Sequence, residues 1–184
     1  MKKITMKFTG TSPILLSGDR LADPLEKATI AHKELTSKRK KTEEDHIAIA
    51  RSQWGGLLYL DEKENIIMPT QNIRAAIVGG AKLNKLGMQV KRGTMMMVDD
   101  VPLDYGKKLT VDQLWEQRYL DRRSVVIGSA RVMAYRPKFN NWSVIFDISQ
   151  IKQASDNAGL FVGIGGFRPE KGGTFGRFNA EVIA

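Results

Sequence analysis

The stretch Lys3-Ile4-Thr5-Met6-Lys7-Phe8-Thr9-Gly10 alternates apolar and polar residues. An extended chain turns successive side chains to opposite faces, so Ile4, Met6 and Phe8 share one face and Lys3, Thr5 and Lys7 the other. The alternation predicts a half-buried strand, apolar toward a core and basic toward water, ended at Gly10. A strand covered on one side only belongs to an antiparallel sheet with helices on a single face, which is an α+β arrangement.

Working outward, Trp142, Val144, Phe146 and Ile148 repeat the same alternation near the other end of the chain. With the β-branched and apolar run over 122–134 they predict a hairpin joined by residues 135–141. Val125, Ile127 and Met133 are expected to pack inward, and a bulge at Gly128 could change the phase. The hairpin tip then carries Tyr135, Arg136, Lys138 and Phe139. Cations beside aromatic rings suit single-stranded nucleic acid, because charge tracks the backbone and each base stack is worth about 1 to 3 kcal/mol. The other reading of the same residues is that Tyr135 and Phe139 pin the turn to the core.

Two helices are expected between these strands. Thr42, followed by Glu43, Glu44 and Asp45, reads as a helix start with acids at the positive end of the dipole, and Ile47, Ala50 and Trp54 share its apolar face. Thr70 reads as the N-cap of a second helix whose apolar side is Ile73, Ala76, Ile77, Ala81 and Leu83, ending near Gly87. Arg74, Lys82 and Lys85 line its other side. Gly56–Leu60 and Ile66–Met68 flank a polar turn and predict a second hairpin. Residues 88–119 read as an irregular lobe in which Met95, Met96 and Met97 fill core gaps. A short helix over 149–159 and a strand over 178–183 complete the pattern.

With insertions set aside the order is strand, helix, strand, strand, helix, strand, the split βαβ order of ferredoxin-like and RRM-like domains. The expectation is one domain over 1–184, with inserted segments at about 18–55 and 88–120 and one sheet face open to a ligand.

Composition narrows the partners. The 184 residues carry 29 Lys and Arg against 20 Asp and Glu, a formal charge of +9 that suits a polyanion. No cysteine and two histidines exclude disulfides and thiolate metal sites, so neither metal nor cofactor is expected. No apolar run approaches a membrane span and the opening residues lack a signal-peptide core, which predicts a soluble, cytoplasmic protein with no membrane partner. No Walker loop, nucleophile elbow or zinc signature appears.

The segment Gly163-Ile164-Gly165-Gly166-Phe167-Arg168-Pro169-Glu170-Lys171-Gly172-Gly173-Thr174-Phe175-Gly176-Arg177-Phe178 sets glycines among the cations Arg168, Lys171 and Arg177. Backbone N–H groups and fixed charges in such a loop can converge on a phosphate. A solvated hairpin loop with incidental cations is the other reading.

This terminal loop resembles the glycine-rich loop of the CRISPR-associated RAMP superfamily. The Ser17-Gly18-Asp19 turn leading to Ala22-Asp23-Pro24 lies where that family has its turn after the opening strand. Ile67-Met68-Pro69-Thr70-Gln71-Asn72-Ile73-Arg74 is similar to the strand-to-helix junction of backbone subunits in CRISPR effector complexes, with Thr70, Gln71 and Asn72 in place of the usual glycine and serines. The resemblance implies an RRM-like palm holding single-stranded RNA along a basic groove, with Arg74 at the junction and Gly165, Gly166 and Arg168 in the loop. It also implies a short relative, of phage or mobile-element kind, that could self-associate along the strand or join other CRISPR-type subunits. Within the superfamily, histidines and loop aspartates cleave RNA, so Asp19, Asp23, His32 and His46 are the weak catalytic candidates.

The function expected is non-catalytic binding of single-stranded RNA or DNA. Arg74, Lys82, Lys85, Lys171 and Arg177 are assigned to phosphate, and Tyr135, Arg136, Lys138 and Phe139 to stacking and charge. Arg122, Arg123, Arg131, Lys91 and Arg92 depend on strand and helix register. A CRISPR-type endoribonuclease or effector backbone subunit, or a phage structural or inhibitor protein, is the alternative.

Overall fold

The computed structural model describes residues 3–149 and 152–183; Gln150 and Ile151, within the expected helix over 149–159, lie outside them. In chain order the elements are β1 (Lys3–Gly10), β2 (Ile14–Leu15), α1 (Lys27–Ser37), α2 (Glu43–Gly56), β3 (Ile67–Pro69), α3 (Thr70–Leu83), α4 (Gly87–Gly93), β4 (Asp100–Pro102) and α5 (Val111–Glu116). There follow β5 (Leu120–Ile127), β6 (Ala130–Phe139), β7 (Ser143–Ser149), α6 (Lys152–Asn157) continued by a π-helical turn at Ala158–Val162, a 3₁₀ turn at Pro169–Lys171, and β8 (Phe178–Val182). The class is α+β. No helix among the described residues is long and apolar enough to cross a membrane.

The chain forms two compact units, one from Met1–Leu15, Leu60–Lys108 and Phe139–Ala184, the other from Leu16–Tyr59 and Leu109–Lys138. The expected insertion at about 18–55 falls inside the second unit, whereas 88–120 is divided between the two.

In the first unit β1 is the central strand of a sheet ordered β7-β1-β8, antiparallel on both sides. This sheet holds three strands where the ferredoxin-like or RRM-like reading expects four. Met6 and Phe8 are buried as their alternation requires, and Trp142, Val144, Phe146 and Ile148 join them. The Phe8 ring stacks on Phe178 at 4.0 Å and meets Phe146 edge-on at 4.7 Å. Helix α3 packs on α6 and the π-helical turn, and the Ser155 hydroxyl donates to the Met6 sulfur at 3.6 Å, so the helices cover this face. The opposite face is mixed rather than basic. Thr5 Oγ1 donates to Asp147 at 2.7 Å, and Lys7 stands opposite Glu181.

Four local expectations are corrected here. The hairpin over 56–68 reduces to a single bridge between Leu60 and Ile66, because α2 runs on to Gly56 and β3 pairs with β4 instead. Thr70 is the first residue of α3, not its cap, and its hydroxyl donates to the carbonyls of Val98 (2.6 Å) and Asp99 (2.9 Å). Leu83 ends the helix 56% exposed. Met95 and Met97 are also half exposed, on either side of Met96, which bridges to Ile148.

In the second unit α2 starts at a capping box, with Thr42 accepting from the Asp45 N–H and Asp45 accepting from the Thr42 N–H. The Lys38 ammonium, 2.5 Å from Asp45, and the Thr42 backbone N–H hold that carboxyl down at about 2. Trp54 is buried, its Nε1 donating to the Tyr119 carbonyl at 2.8 Å and its ring edge-on to Trp115 at 5.5 Å. A second capping box, Thr110 with Gln113, starts α5.

The large hairpin also differs from expectation. β5 pairs with β6 about the turn Gly128-Ser129, while β7 pairs with β1. Gly128 has φ 61°, a conformation only glycine adopts freely, so it makes the turn rather than a bulge. The supposed loop over 135–139 is strand, with Pro137 at the end of the ladder opposite Leu120. Met133 is exposed rather than inward, Val125 is half-buried, and the side chain of Ile127 lies outside the described residues.

Candidate functional site

In an antiparallel pair, residues directly opposite share a face. The β5–β6 register sets Leu120 opposite Pro137, Arg122 opposite Tyr135, Ser124 opposite Met133 and Val126 opposite Arg131 on one face. The Arg122 guanidinium lies over the Tyr135 ring at 5.7 Å from its centroid, within cation–π range. Between Arg118 and Lys138 the chain has six cations, Arg118, Arg122, Arg123, Arg131, Arg136 and Lys138, against the single acid Asp121.

Arg122 and Tyr135 form one wall of a cleft of about 540 Å³. Helix α2 supplies a second wall through Glu43, His46, Ile47 and Ala50, whose spacing of three, four and seven residues puts them on one helical face. Trp115 and Glu116 of α5 and Arg118 just beyond it complete the lining. Arg118 has φ 58°, an uncommon conformation for a side-chain-bearing residue, and it turns the chain from α5 into β5. Ile47, expected in the core, is 55% exposed and belongs to this cleft. The lining therefore combines two aromatic rings, two guanidinium groups, two carboxylates and an imidazole. Such a set offers stacking area together with both hydrogen-bond donors and acceptors, which suits a flat polar heterocycle better than a bare phosphate.

The cleft thus brings together His46, Arg122 and Tyr135 of the residues singled out from sequence. Phe139 is corrected: it is fully buried, with the Tyr105 ring at 5.0 Å, and cannot stack a base. Arg123 is ion-paired with Asp121 at 3.0 Å on the opposite face of the hairpin, where Arg136 stands across from the same acid and Lys138 follows two residues on. Arg131 is exposed near the turn.

The glycine-rich segment closes on its own chain. Gly166 N–H donates to the Leu15 carbonyl at 2.7 Å, Ile164 N–H to Gly176 at 2.9 Å and Gly176 N–H to Pro13 at 2.8 Å. A Cβ at Gly165 would run into the Leu15 carbonyl, so close approach there serves the fold. Arg168 pairs with Glu170 at 2.7 Å and also donates to the Gly165 carbonyl. The Arg177 guanidinium donates to the Leu160 carbonyl, and Lys171 is exposed.

At the strand-to-helix junction the carbonyls of Val98 and Asp99 already hold the Thr70 hydroxyl, and Asp99 also accepts the Thr70 N–H at 2.8 Å. Arg74 donates to the Lys91 carbonyl at 2.5 Å. Lys82, Lys91 and Arg92 are exposed, and Lys85 lies beyond the end of α3 with φ 60°. Asp23 accepts from the Leu25 N–H at 2.9 Å, the bond of a local turn, and the Asp19 carbonyl accepts from Ala22 in the same region. His32 Nδ1 is 3.1 Å from the Ser52 hydroxyl.

Trp115, Arg118 and Glu116 escaped the sequence reading, and Glu43 entered it only as an acid at the start of α2. Thr110 and Gln113 signal the start of α5, and the α2 spacing would have added Glu43. No protein-family model matches the chain, and no curated protein matches it.

Proposed function

We propose that this chain binds single-stranded nucleic acid through the β5–β6 hairpin and the adjoining cleft, as a non-catalytic relative of the RAMP proteins. The carrying observation is the convergence of Arg122, Tyr135 and Trp115 on one open cleft beside a strand pair rich in cations. A base stacks against the rings while phosphates follow the exposed arginines, the division of labour common in single-strand binders. The glycine-rich loop drops out of the contact surface, because two of its three cations are engaged within the chain. RAMP kinship rests on the order of the three sequence segments.

Fluorescence anisotropy with labelled pyrimidine 12-mers tests the reading. Tyr135→Ala should weaken binding by about 1–3 kcal/mol, the worth of one stacked base. Arg168→Ala should leave affinity unchanged while lowering the melting temperature. Loss of binding in Arg168→Ala with full binding in Tyr135→Ala would return the site to the loop and remove the cleft from it.

A further inference from the structure

We infer that the cleft selects guanine. This rests on the single-strand reading above and adds base identity to it. An ionised carboxylate accepts hydrogen bonds and donates none, so Glu43 and Glu116 favour a base that turns donors toward them. Both carboxylates are exposed at the cleft, on two different helices. Uracil and thymine set their one N–H between two carbonyl oxygens, which a carboxylate repels. Adenine and cytosine each present an amino group beside an acceptor nitrogen. Guanine alone sets two donors side by side, N1–H and the 2-amino group, matching the two oxygens of a carboxylate. Its remaining edge carries O6 and N7, two acceptors suited to a guanidinium, and Arg118 and Arg122 line the same cleft. The rings of Trp115 and Tyr135 take its face.

The experiment uses the full chain and labelled thymidine 12-mers that carry at the centre thymine, adenine, guanine or hypoxanthine, the last being guanine without its 2-amino group. A single purine per strand avoids four-stranded assemblies. The guanine 12-mer should bind about tenfold tighter than the all-thymine strand, the discrimination expected of one good bidentate contact. Hypoxanthine should lose most of that gain. Glu43→Gln and Glu116→Gln, exposed substitutions checked for folding by circular dichroism, should narrow the affinity ratio between the guanine and thymine strands. Equal affinity for all four strands, with thymine binding intact and weakened in Tyr135→Ala, would overturn the guanine assignment and leave the single-strand reading standing. Absence of binding to every strand would overturn both.

Discussion

Tyr135 and Phe139 are four residues apart on one strand, and both read from sequence as rings beside cations, yet their environments are opposite. Tyr135 is half-buried under the Arg122 guanidinium, whereas Phe139 is fully enclosed. Phe139→Ala should cost roughly 3–5 kcal/mol of unfolding free energy in a urea titration, as truncation of a buried aromatic does. Tyr135→Ala should move the same midpoint far less and act on binding. Residue type could not separate the two, because burial follows from register, and register followed from a Gly-Ser turn that the proline at position 137 obscured. Gly176 shows the converse, a residue whose role is legible only from backbone. Its φ is 73° and a Cβ there would strike the Ile164 carbonyl, so Gly176→Ala should destabilise by roughly 1–3 kcal/mol or more. Loss of stability without a specific loss of nucleic acid affinity is the expected signature, measured by thermal melting beside anisotropy.

At the scale of elements, period-two alternation was the most readable signal. β1 and β7 appear where Met6, Phe8, Val144 and Phe146 place them, since a slip of one residue would expose the whole apolar set. The α2 start was equally legible from Thr42 and the acids after it, and it carries Glu43 and His46 into the cleft. Thr42→Ala should cost about 1 kcal/mol, the usual worth of an N-cap, and should loosen the turn that holds both residues. The pH response of this turn has a definite sign. Asp45 titrates at about 2 in the folded chain instead of 3.8, with the Lys38 ammonium the largest cause. A depressed carboxyl stabilises the fold above its unfolded value and loses that contribution as pH falls through the folded one. The capping box should therefore persist from neutral pH down through 3.8 and fail only near 2. Lys38→Ala should raise the Asp45 titration point toward 3.8, read from its carboxyl chemical shift. An unchanged shift would show that the Thr42 N–H alone sets the value. The Met95–Val98 run, by contrast, was not legible, because adaptable thioethers suit both filled gaps and half-exposed positions.

For the whole molecule, the pattern of strands and helices foretold the α+β class and composition the surplus of positive charge, but neither foretold the division into two units. The second unit joins Leu16–Tyr59 to Leu109–Lys138, and no local signal in either stretch announces the other. Charge distribution then makes a prediction that the total of +9 does not. If phosphates follow the β5–β6 cations, binding must weaken with salt in proportion to the contacts made, with a slope near −0.7 per phosphate for a single strand. Contacts from Arg122 and Arg131, the two cations on the cleft face of the hairpin, would give a log–log slope of about −1.4. Arg122→Ala and Arg131→Ala should each reduce its magnitude by about 0.7. Lys82→Ala and Lys85→Ala, equal in charge removed but placed at the end of α3, should leave the slope unaltered. A slope that drops equally in both pairs of variants would mean that the protein's net charge, and not the hairpin, drives association.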